Sequence, residues 1–155
     1  IIFIINIPIT KLKDRFFMDF NDYEVGFNIP AKIGMNINEV QTPCLVIDYN
    51  KFEKNILKMK NFILNNNVKL RPHAKMHKSF NVADFQIKFG GAHGICCQKV
   101  SEAEVFARKG IRDILITNQV TDLFKINRLT SISRNEIKLS CCVDDEENII
   151  NINNS

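Results

Sequence analysis

The sequence lacks both of the glycine-rich motifs by which nucleotide-binding folds are usually recognised. Neither GxGxxG nor GxxxxGK[ST] occurs in its 155 residues. Such loops bring backbone N–H groups close to a pyrophosphate or a triphosphate. The chain therefore carries no marker of a dinucleotide-binding or NTP-binding domain.

Long hydrophobic runs are also missing. The first ten residues, IIFIINIPIT, are apolar, but a membrane-spanning helix needs about 20 such residues. They also lack the basic region and the small-residue cleavage site of a secretory signal peptide. We therefore expect no membrane partner and a cytoplasmic location.

The sequence has no concentration of charge of one sign that would indicate a polyanion-binding tail. Its 21 Lys and Arg residues and 17 Asp and Glu residues are interspersed and leave a net charge of +4. Nucleic-acid-binding surfaces often have aromatic side chains interleaved with their basic residues. The basic stretch KLRPHAKMHKSF (69–80) has no aromatic side chains between its charges. We expect no nucleic-acid partner.

The five cysteines do not have the spacing of a disulfide scaffold or a zinc ribbon, because four of them form adjacent pairs. Each pair lies in an apolar run that we predict to be a strand. We expect buried free thiols in a reducing compartment. The cysteines are Cys44, Cys96, Cys97, Cys141 and Cys142.

From residue 44 onward, predicted strands and helices alternate with a period of roughly 20–25 residues, which is typical of βα units on a parallel sheet. The strand segments are apolar throughout, so we expect both faces of the sheet to be covered. Predicted strands are 44–48, 68–74, 93–98, 113–117 and 137–143. Predicted helices are 51–65, 80–89, a third from Ser101 to Gly110, a fourth after Asp122 and a fifth from Glu146.

Helix starts are predicted from capping residues and buried faces from helical spacing. Capping boxes are predicted at Asn50–Glu53 and at Ser101–Glu104, and single caps at Ser79 and Asp122. The predicted buried stripes are Phe52, Ile56, Met59 and Ile63; Ala103, Phe106 and Ala107; and Phe124, Leu129 and Ile132.

Two α/β architectures fit this order, a doubly wound sheet and a (β/α)8 barrel. A whole barrel needs about 250 residues, so the predicted strands would form about half of one. The first residue is Ile rather than Met, which suggests a fragment. We expect 1–35 to be a poorly ordered N-terminal extension and 36–155 to be the first half of the barrel.

In both architectures functional groups gather at the carboxyl ends of the strands. The basic stretch 69–80 lies at such an end. If it is a strand, Arg71, His73 and Lys75 point to one side. Partial burial and neighbouring positive groups would then lower the pKa of Lys75 and allow its amine to attack a carbonyl, such as a pyridoxal aldehyde.

Two other interpretations of this stretch remain open from the residues alone. Composition alone favours the interpretation that Lys69, Lys75 and Lys78 are solvated loop cations and that His73 is a core histidine satisfied by hydrogen bonds. A metal site formed by His73 and His77 is disfavoured, because Pro72 makes the segment extended and so separates the two rings.

Four segments together resemble the D-threonine aldolase family, which is related to eukaryotic D-serine dehydratases and more distantly to alanine racemases. The resemblance covers about residues 33–152. RPHxK[TM]HK is typical of the aldolase and D-serine dehydratase branch, and GIRDILITNQV favours the aldolase. The segments are TPCLVIDYNKFEKNI (42–56), RPHAKMHK (71–78), GICCQKVSEAEVFARKGIRDILITNQV (94–120) and CCVDD (141–145).

The resemblance implies a fold-type III enzyme with a (β/α)8 TIM-type barrel of the alanine racemase kind, followed by a β-rich domain. It implies the cofactor pyridoxal 5'-phosphate and a divalent metal, Mn or Zn. The implied reaction is reversible cleavage of a D-3-hydroxy-amino acid, such as D-threonine, to glycine and an aldehyde. The D-serine dehydratase relatives instead eliminate water to give pyruvate and ammonia. We expect a homodimer when the protein is full length.

Carried over from the family motif, Lys75 is the lysine that binds the cofactor as a Schiff base. Arg71, His73 and Gln98 are expected around the cofactor, the first two from strand alternation and the third from its place at a strand end. The family's metal ligands lie near the C-terminus, in the β domain, so no metal ligand is assigned here. We expect the 155-residue chain alone to be inactive. A non-catalytic cofactor-binding barrel and a degenerate fragment remain alternatives.

Overall fold

The computed structural model describes residues 2–5, 31 and 33–155. The chain divides into two compact units, Ile1–Glu53 and Lys54–Ser155. Most of the expected N-terminal extension, 1–35, lies outside the described residues, and its poor packing stays a prediction. No helix in the described part of the chain is both long and apolar enough to cross a membrane.

The first unit contains a two-stranded parallel sheet. Strand β1 (Ile2–Ile5) pairs with strand β2 (Leu45–Asp48), and Ile2 lies opposite Leu45. The predicted strand at 44–48 is confirmed to within one residue. A short 3-10 helix, Ile37–Glu39, precedes it.

Helix α1 (Tyr49–Asn65) follows β2 directly and runs into the second unit. The predicted capping box at Asn50–Glu53 is wrong, because the helix begins before Asn50. The Asp48 carboxylate instead accepts a hydrogen bond from the Lys51 N–H at 3.0 Å. An acidic side chain at this position satisfies one of the first free N–H groups of the helix.

The second unit repeats a strand–helix order, as the sequence predicts. Its helices after α1 are α2 (Phe80–Lys88), α3 (Val100–Arg108), α4 (Leu123–Ser133) and α5 (Glu146–Asn153). Its strands are β3 (Ile95–Cys97), β4 (Asp113–Ile116) and β5 (Lys138–Cys141).

The strands form a parallel sheet in the order β3-β4-β5. The extended segment before β3 continues this sheet, since the Cys96 N–H donates to the Pro72 carbonyl at 2.9 Å and His73 forms a parallel bridge with Cys96. Four extended segments thus lie side by side in chain order. A doubly wound sheet reverses its order at a switch point, whereas strands of a barrel follow one another in this way. The observed order is that of part of an α/β barrel.

One face of this sheet is fully buried and the other is not. The buried face is apolar, and its residues pack against side chains of α2, α3 and α4 in one continuous core. The other face is partly exposed and carries polar groups, so the expectation that both faces are covered is wrong for it among the described residues. Ile95, Cys97, Ile114 and Ile116 lie on the first face, each 0% exposed. Arg71, His73, Asp113, Leu115 and Thr117 alternate with the buried residues and lie on the second.

The predicted single caps are confirmed. The Ser79 hydroxyl accepts from the Val82 N–H, and the Asp122 carboxylate accepts from the Lys125 N–H. The predicted capping box at Ser101–Glu104 is wrong, because α3 begins at Val100 and no side chain caps it.

Two members of the predicted buried stripes are exposed. Met59 is 45% exposed, and Ile63 is the one member of its stripe on α1 that is fully buried. Phe124, 71% exposed, lies in the first turn of α4, and its ring is approached by the Arg128 guanidinium at 6.0 Å. All other members of the three predicted stripes are buried or partly buried, as predicted.

Gly94 lets the start of β3 lie directly against β4. A Cβ at this position would stand 2.4 Å from the Asp113 carbonyl oxygen and 2.7 Å from its Cβ. We expect Gly94→Ala to destabilise the protein by roughly 2–3 kcal/mol through overpacking. Urea unfolding followed by circular dichroism measures this.

Gly110→Ala is the comparison variant for Gly94→Ala. Gly110 has a φ of +101° and open space around its Cα, so alanine there meets backbone strain of about 1–2 kcal/mol without a collision. A smaller loss of stability in Gly94→Ala than in Gly110→Ala would contradict the predicted collision.

Candidate cofactor-lysine site

Lys75 lies just beyond the carboxyl end of the extended segment, in a 3-10 turn formed by Ala74–Met76. The predicted strand alternation holds for Arg71 and His73 but is wrong for Lys75, because the backbone leaves the extended conformation at Ala74. The expected partial burial is also absent in the described chain, where Lys75 is exposed. Hydrogen bonds in a short turn, rather than the pleat of a strand, set its position.

The turn around Lys75 is anchored by its backbone. The Lys75 N–H donates to His73 Nδ1 at 3.3 Å, and the Lys78 N–H donates to the Ala74 carbonyl at 2.8 Å. Ala74 is 1% exposed. The Cα of Lys75 is therefore held in place while its amine reaches solvent.

Three lysines of the basic stretch differ in their surroundings. Lys78 forms an ion pair with Glu102 at 3.3 Å. Lys69 lies before the extended segment, beside a depression at the opposite end of the sheet. Of these three lysines, all of which the structure describes, Lys75 alone combines a place at the carboxyl edge with an amine that has no ion-pair partner.

His73 connects this turn to the end of β4. Its Nε2 lies 3.0 Å from the Thr117 hydroxyl, which itself donates to the Cys97 carbonyl at 3.3 Å. Burial and the nearby Lys75 charge hold the pKa of His73 below its usual value, and the Glu102 charge opposes them only in part. The ring is therefore neutral at pH 7 and fully hydrogen-bonded.

Arg71 turns towards the amino end of β4 and binds Asp113. Its Nε lies 2.5 Å from Asp113 Oδ1, and a second guanidinium nitrogen lies 3.1 Å from Oδ2. Asp113 also faces His93 at 3.3 Å and Lys138 at 3.6 Å. The Arg71 hydrogen bonds outweigh burial and hold the pKa of Asp113 below its usual value. The cofactor role predicted for Arg71 stays a prediction, and its guanidinium is engaged by this carboxylate.

Gln98 follows β3, and its backbone is held on both sides. Its N–H donates to the Glu102 carboxylate at 2.8 Å, and its carbonyl accepts from Asn118 Nδ2 at 2.9 Å. Burial raises the pKa of Glu102, but this hydrogen bond and the Lys78 contact outweigh it, so the carboxylate stays ionised. The Gln98 side chain is exposed at the carboxyl edge of the sheet, where the turn that bears Lys75 also lies. Its predicted cofactor role stays a prediction.

Polar residues at the carboxyl ends of β3, β4 and β5 meet at one edge of the sheet. Asn118 reaches back to Gln98, and the Gln119 side chain donates to the Asp144 carboxylate at 2.9 Å. Sequence reasoning missed Thr117 and Asp113. Both are at odd-numbered positions along β4 and its immediate continuation, which point to the same face of the sheet as Arg71 and His73. This alternation along the strand is the signal that could have found them.

All five cysteines are free, as expected, but only Cys97 is buried; Cys142 is exposed and the other three are partly buried. The prediction of buried thiols is therefore wrong for four of them. Cys96 and Cys142 alternate with buried positions and lie on the less covered sheet face, Cys141 is only partly covered although it packs against the core from β5, and Cys44 precedes β2 in the other sheet. Within the described residues, no group of three or more His, Cys, Asp or Glu side chains could hold a metal ion.

Cys97 is expected to resist alkylation in the folded protein. It is 0% exposed, and burial raises the pKa of its thiol to about 12, so little reactive thiolate exists at pH 8. Iodoacetamide at pH 8, followed by peptide fragmentation, should modify Cys142 first and Cys97 only after urea unfolding. Modification of the two thiols at equal rates in the native protein would contradict this.

Comparison with known proteins agrees with this architecture. The profile of the family "Alanine racemase, N-terminal domain" matches residues 47–155. A 3-hydroxy-D-aspartate aldolase from Paracoccus denitrificans is 48% identical over 134 residues, which is 86% of this chain and 35% of that enzyme. The chain thus spans about a third of the length of this relative.

Two solved structures show the same fold. D-threonine aldolase from Filomicrobium marinum superposes with a TM-score of 0.78 at 40% identity, over 81% of this chain and 33% of that one. D-threo-3-hydroxyaspartate dehydratase from Delftia sp. HT23 gives 0.67 at 32% identity, over 72% of this chain and 29% of that one. An aldolase and a dehydratase therefore share the arrangement described above.

Proposed function

Because the chain belongs to the alanine racemase N-terminal domain family, we propose that it carries the cofactor lysine of a pyridoxal-phosphate-dependent lyase acting on D-3-hydroxy-amino acids. The reaction that we propose is cleavage of the Cα–Cβ bond to give glycine and an aldehyde. The single observation that carries the proposal is the place of Lys75, whose exposed, unpartnered amine stands at the carboxyl edge of a partial α/β barrel. The likeness to proteins named as aldolases of such substrates supports it.

The residues around Lys75 fit an aldehyde cofactor. An amine without an ion-pair partner needs no carboxylate to be displaced before it reacts. The neighbouring His73 ring is neutral, so it adds no further positive charge beside the amine. The polar strand-end groups of Gln98 and Asn118 lie along the same edge.

Each residue then has a defined task in the proposed reaction. Lys75 Nζ would hold the cofactor through its aldehyde carbon and, once released by the substrate amine, would be free to carry a proton. The cofactor supplies an electron sink for the charge left at Cα when the bond breaks. Arg71 stays bound to Asp113 and secures the strand below. No described residue is assigned to the divalent metal, which we propose for the complete protein together with a homodimeric assembly.

Borohydride trapping tests the proposal on the protein expressed from its complete reading frame. Reduction with pyridoxal phosphate present blocks trypsin at the modified lysine, so the three candidates give different peptides. Modification of Lys75 gives peptide 70–78, of Lys69 gives 61–75, and of Lys78 gives 76–88. We expect the label in 70–78. Its recovery only in one of the other two peptides, or in none, would refute the assignment.

The likeness to a dehydratase favours one alternative, elimination of water from the same substrates. Product analysis with D-threonine and 3-hydroxy-D-aspartate separates the two reactions. Cleavage releases glycine and an aldehyde, whereas elimination releases ammonia and an oxo acid. If ammonia formed in place of glycine, the proposed reaction would change from cleavage to elimination, and the proposed role of Lys75 would be unaffected. The 155-residue chain alone is expected to be inactive in both assays.

A further inference from the structure

His73 is bonded at both of its ring nitrogens, and the partners differ. A hydroxyl has one proton, and Thr117 donates it to the Cys97 carbonyl, which can only accept. Towards His73 the Thr117 oxygen must therefore act as acceptor, so the proton of the imidazole lies on Nε2. At the other nitrogen, Nδ1 accepts the Lys75 N–H and must be unprotonated. The contacts thus define a neutral ring with its proton on Nε2.

The backbone of His73 is fixed independently of its ring. Its bridge to Cys96 and the bond from the Cys96 N–H to the Pro72 carbonyl tie it to β3. The ring then reaches across to the end of β4 through Thr117. The turn that begins at the next residue is therefore anchored to two neighbouring strands.

We propose that His73 and Thr117 are positioning residues for Lys75, acting through a hydrogen-bond chain that runs from the Cys97 carbonyl through the Thr117 hydroxyl and the neutral His73 ring to the Lys75 N–H. This inference rests on the proposed role of Lys75 as the cofactor lysine. A ring protonated on Nδ1 can no longer accept the Lys75 N–H. The charged groups near the ring are Lys75 and Glu102, and Glu102 is paired with Lys78.

Thr117→Val tests the chain in the complete protein, since valine keeps the shape of threonine and removes the hydroxyl. Loss of the hydroxyl, and with it the link between the Cys97 carbonyl and the His73 ring, should weaken pyridoxal phosphate binding at Lys75 by roughly fivefold to tenfold, as measured by the visible absorbance of the lysine-bound cofactor. Thr117→Ser, which keeps the hydroxyl, should bind within about twofold of the wild type. Thr130→Val is the matched control, because the Thr130 hydroxyl bonds the Ile126 carbonyl on α4, away from the site.

A second readout does not involve the cofactor. Long-range ¹H–¹⁵N correlation spectra of histidine-labelled protein, assigned with His73→Gln, report which ring nitrogen carries the proton. We expect the Nε2–H form in the wild type and in Thr117→Ser. A wild-type ring protonated on Nδ1 would overturn the inference even if Thr117→Val fails to fold.

The outcomes separate this inference from the proposed function. Trapping at Lys75 in the wild type with unchanged binding in Thr117→Val would overturn the positioning role alone. Equal losses in the valine and serine variants would do the same, because the hydroxyl would then not be the group that matters. Absence of trapping at Lys75 in the wild type would overturn the proposed function and, with it, this inference.

Discussion

Replacing Lys75 with alanine is expected to remove the visible absorbance of the lysine-bound cofactor and to lower the cleavage rate by at least about a thousandfold, as happens when a covalent catalytic group is deleted. The side chain is exposed, and only its backbone N–H takes part in the turn. The fold should therefore tolerate the change. Absorbance, glycine release and thermal unfolding, all measured on the complete protein, report these three effects.

Lys69→Ala is the matched control for Lys75→Ala. Lys69 belongs to the same basic stretch and is exposed, but it lies at the other end of the extended segment. It should keep both the absorbance and the rate. If Lys75→Ala retained the absorbance, Lys75 would be excluded as the cofactor lysine. If Lys69→Ala lost the absorbance, the cofactor site would lie at the opposite end of the sheet from the one proposed.

Replacing Asp113 with asparagine is expected to cost about 2–3 kcal/mol of unfolding free energy. The carboxylate side chain is 13% exposed and accepts both hydrogen bonds of Arg71, whose side chain is 27% exposed. Asparagine leaves that guanidinium, His93 and Lys138 around a neutral amide. The well-exposed Lys138 contributes little to this loss.

The same carboxylate predicts the direction of a pH effect. The pKa of Asp113 in the folded protein lies below its ordinary value of 3.8. Its contribution to stability is therefore fully present above pH 3.8 and is lost as the pH falls through the lower, folded-state value. Urea unfolding at pH 7 and near pH 3 should show a smaller difference between wild type and Asp113→Asn at the lower pH.

Asp84→Asn is the surface comparison. Asp84 pairs with Lys88 at 2.8 Å one helical turn away, and the lysine side chain is 65% exposed. Such a pair contributes about 0.3–0.5 kcal/mol. Equal losses of stability at positions 84 and 113 would show that the convergence of cations on Asp113 has no special weight.

The sequence alone predicted the alternating elements and most helix starts, because these depend on local spacing and capping chemistry. It failed at Asn50–Glu53 and Ser101–Glu104, where a correct capping spacing lies inside the helix. At α1 the neighbouring Asp48 carboxylate accepts from a free N–H group instead, whereas at α3 the Glu102 carboxylate accepts from the Gln98 N–H, which lies before the helix. Local spacing cannot choose between two overlapping capping registers, since the path of the preceding strand decides which N–H groups are free.

The candidate site was less predictable than the fold. The family motif singled out Lys75, but alternation placed it in a strand and partly buried, whereas it stands exposed in a 3-10 turn. The partners Asp113 and Thr117 are 42 and 44 residues away from Arg71 and His73. Contacts at such separations depend on which strands become neighbours, and no local pattern encodes this.

The two-sided hold on Gln98 has a consequence for engineering. Glu102 and Asn118 bind only its main chain, while its side chain is exposed next to the turn that bears Lys75. The residue type at this position can therefore vary without changing the path of the loop. A library that randomises position 98, and keeps 102 and 118, would vary the side chain beside Lys75 while the path of the loop stays the same.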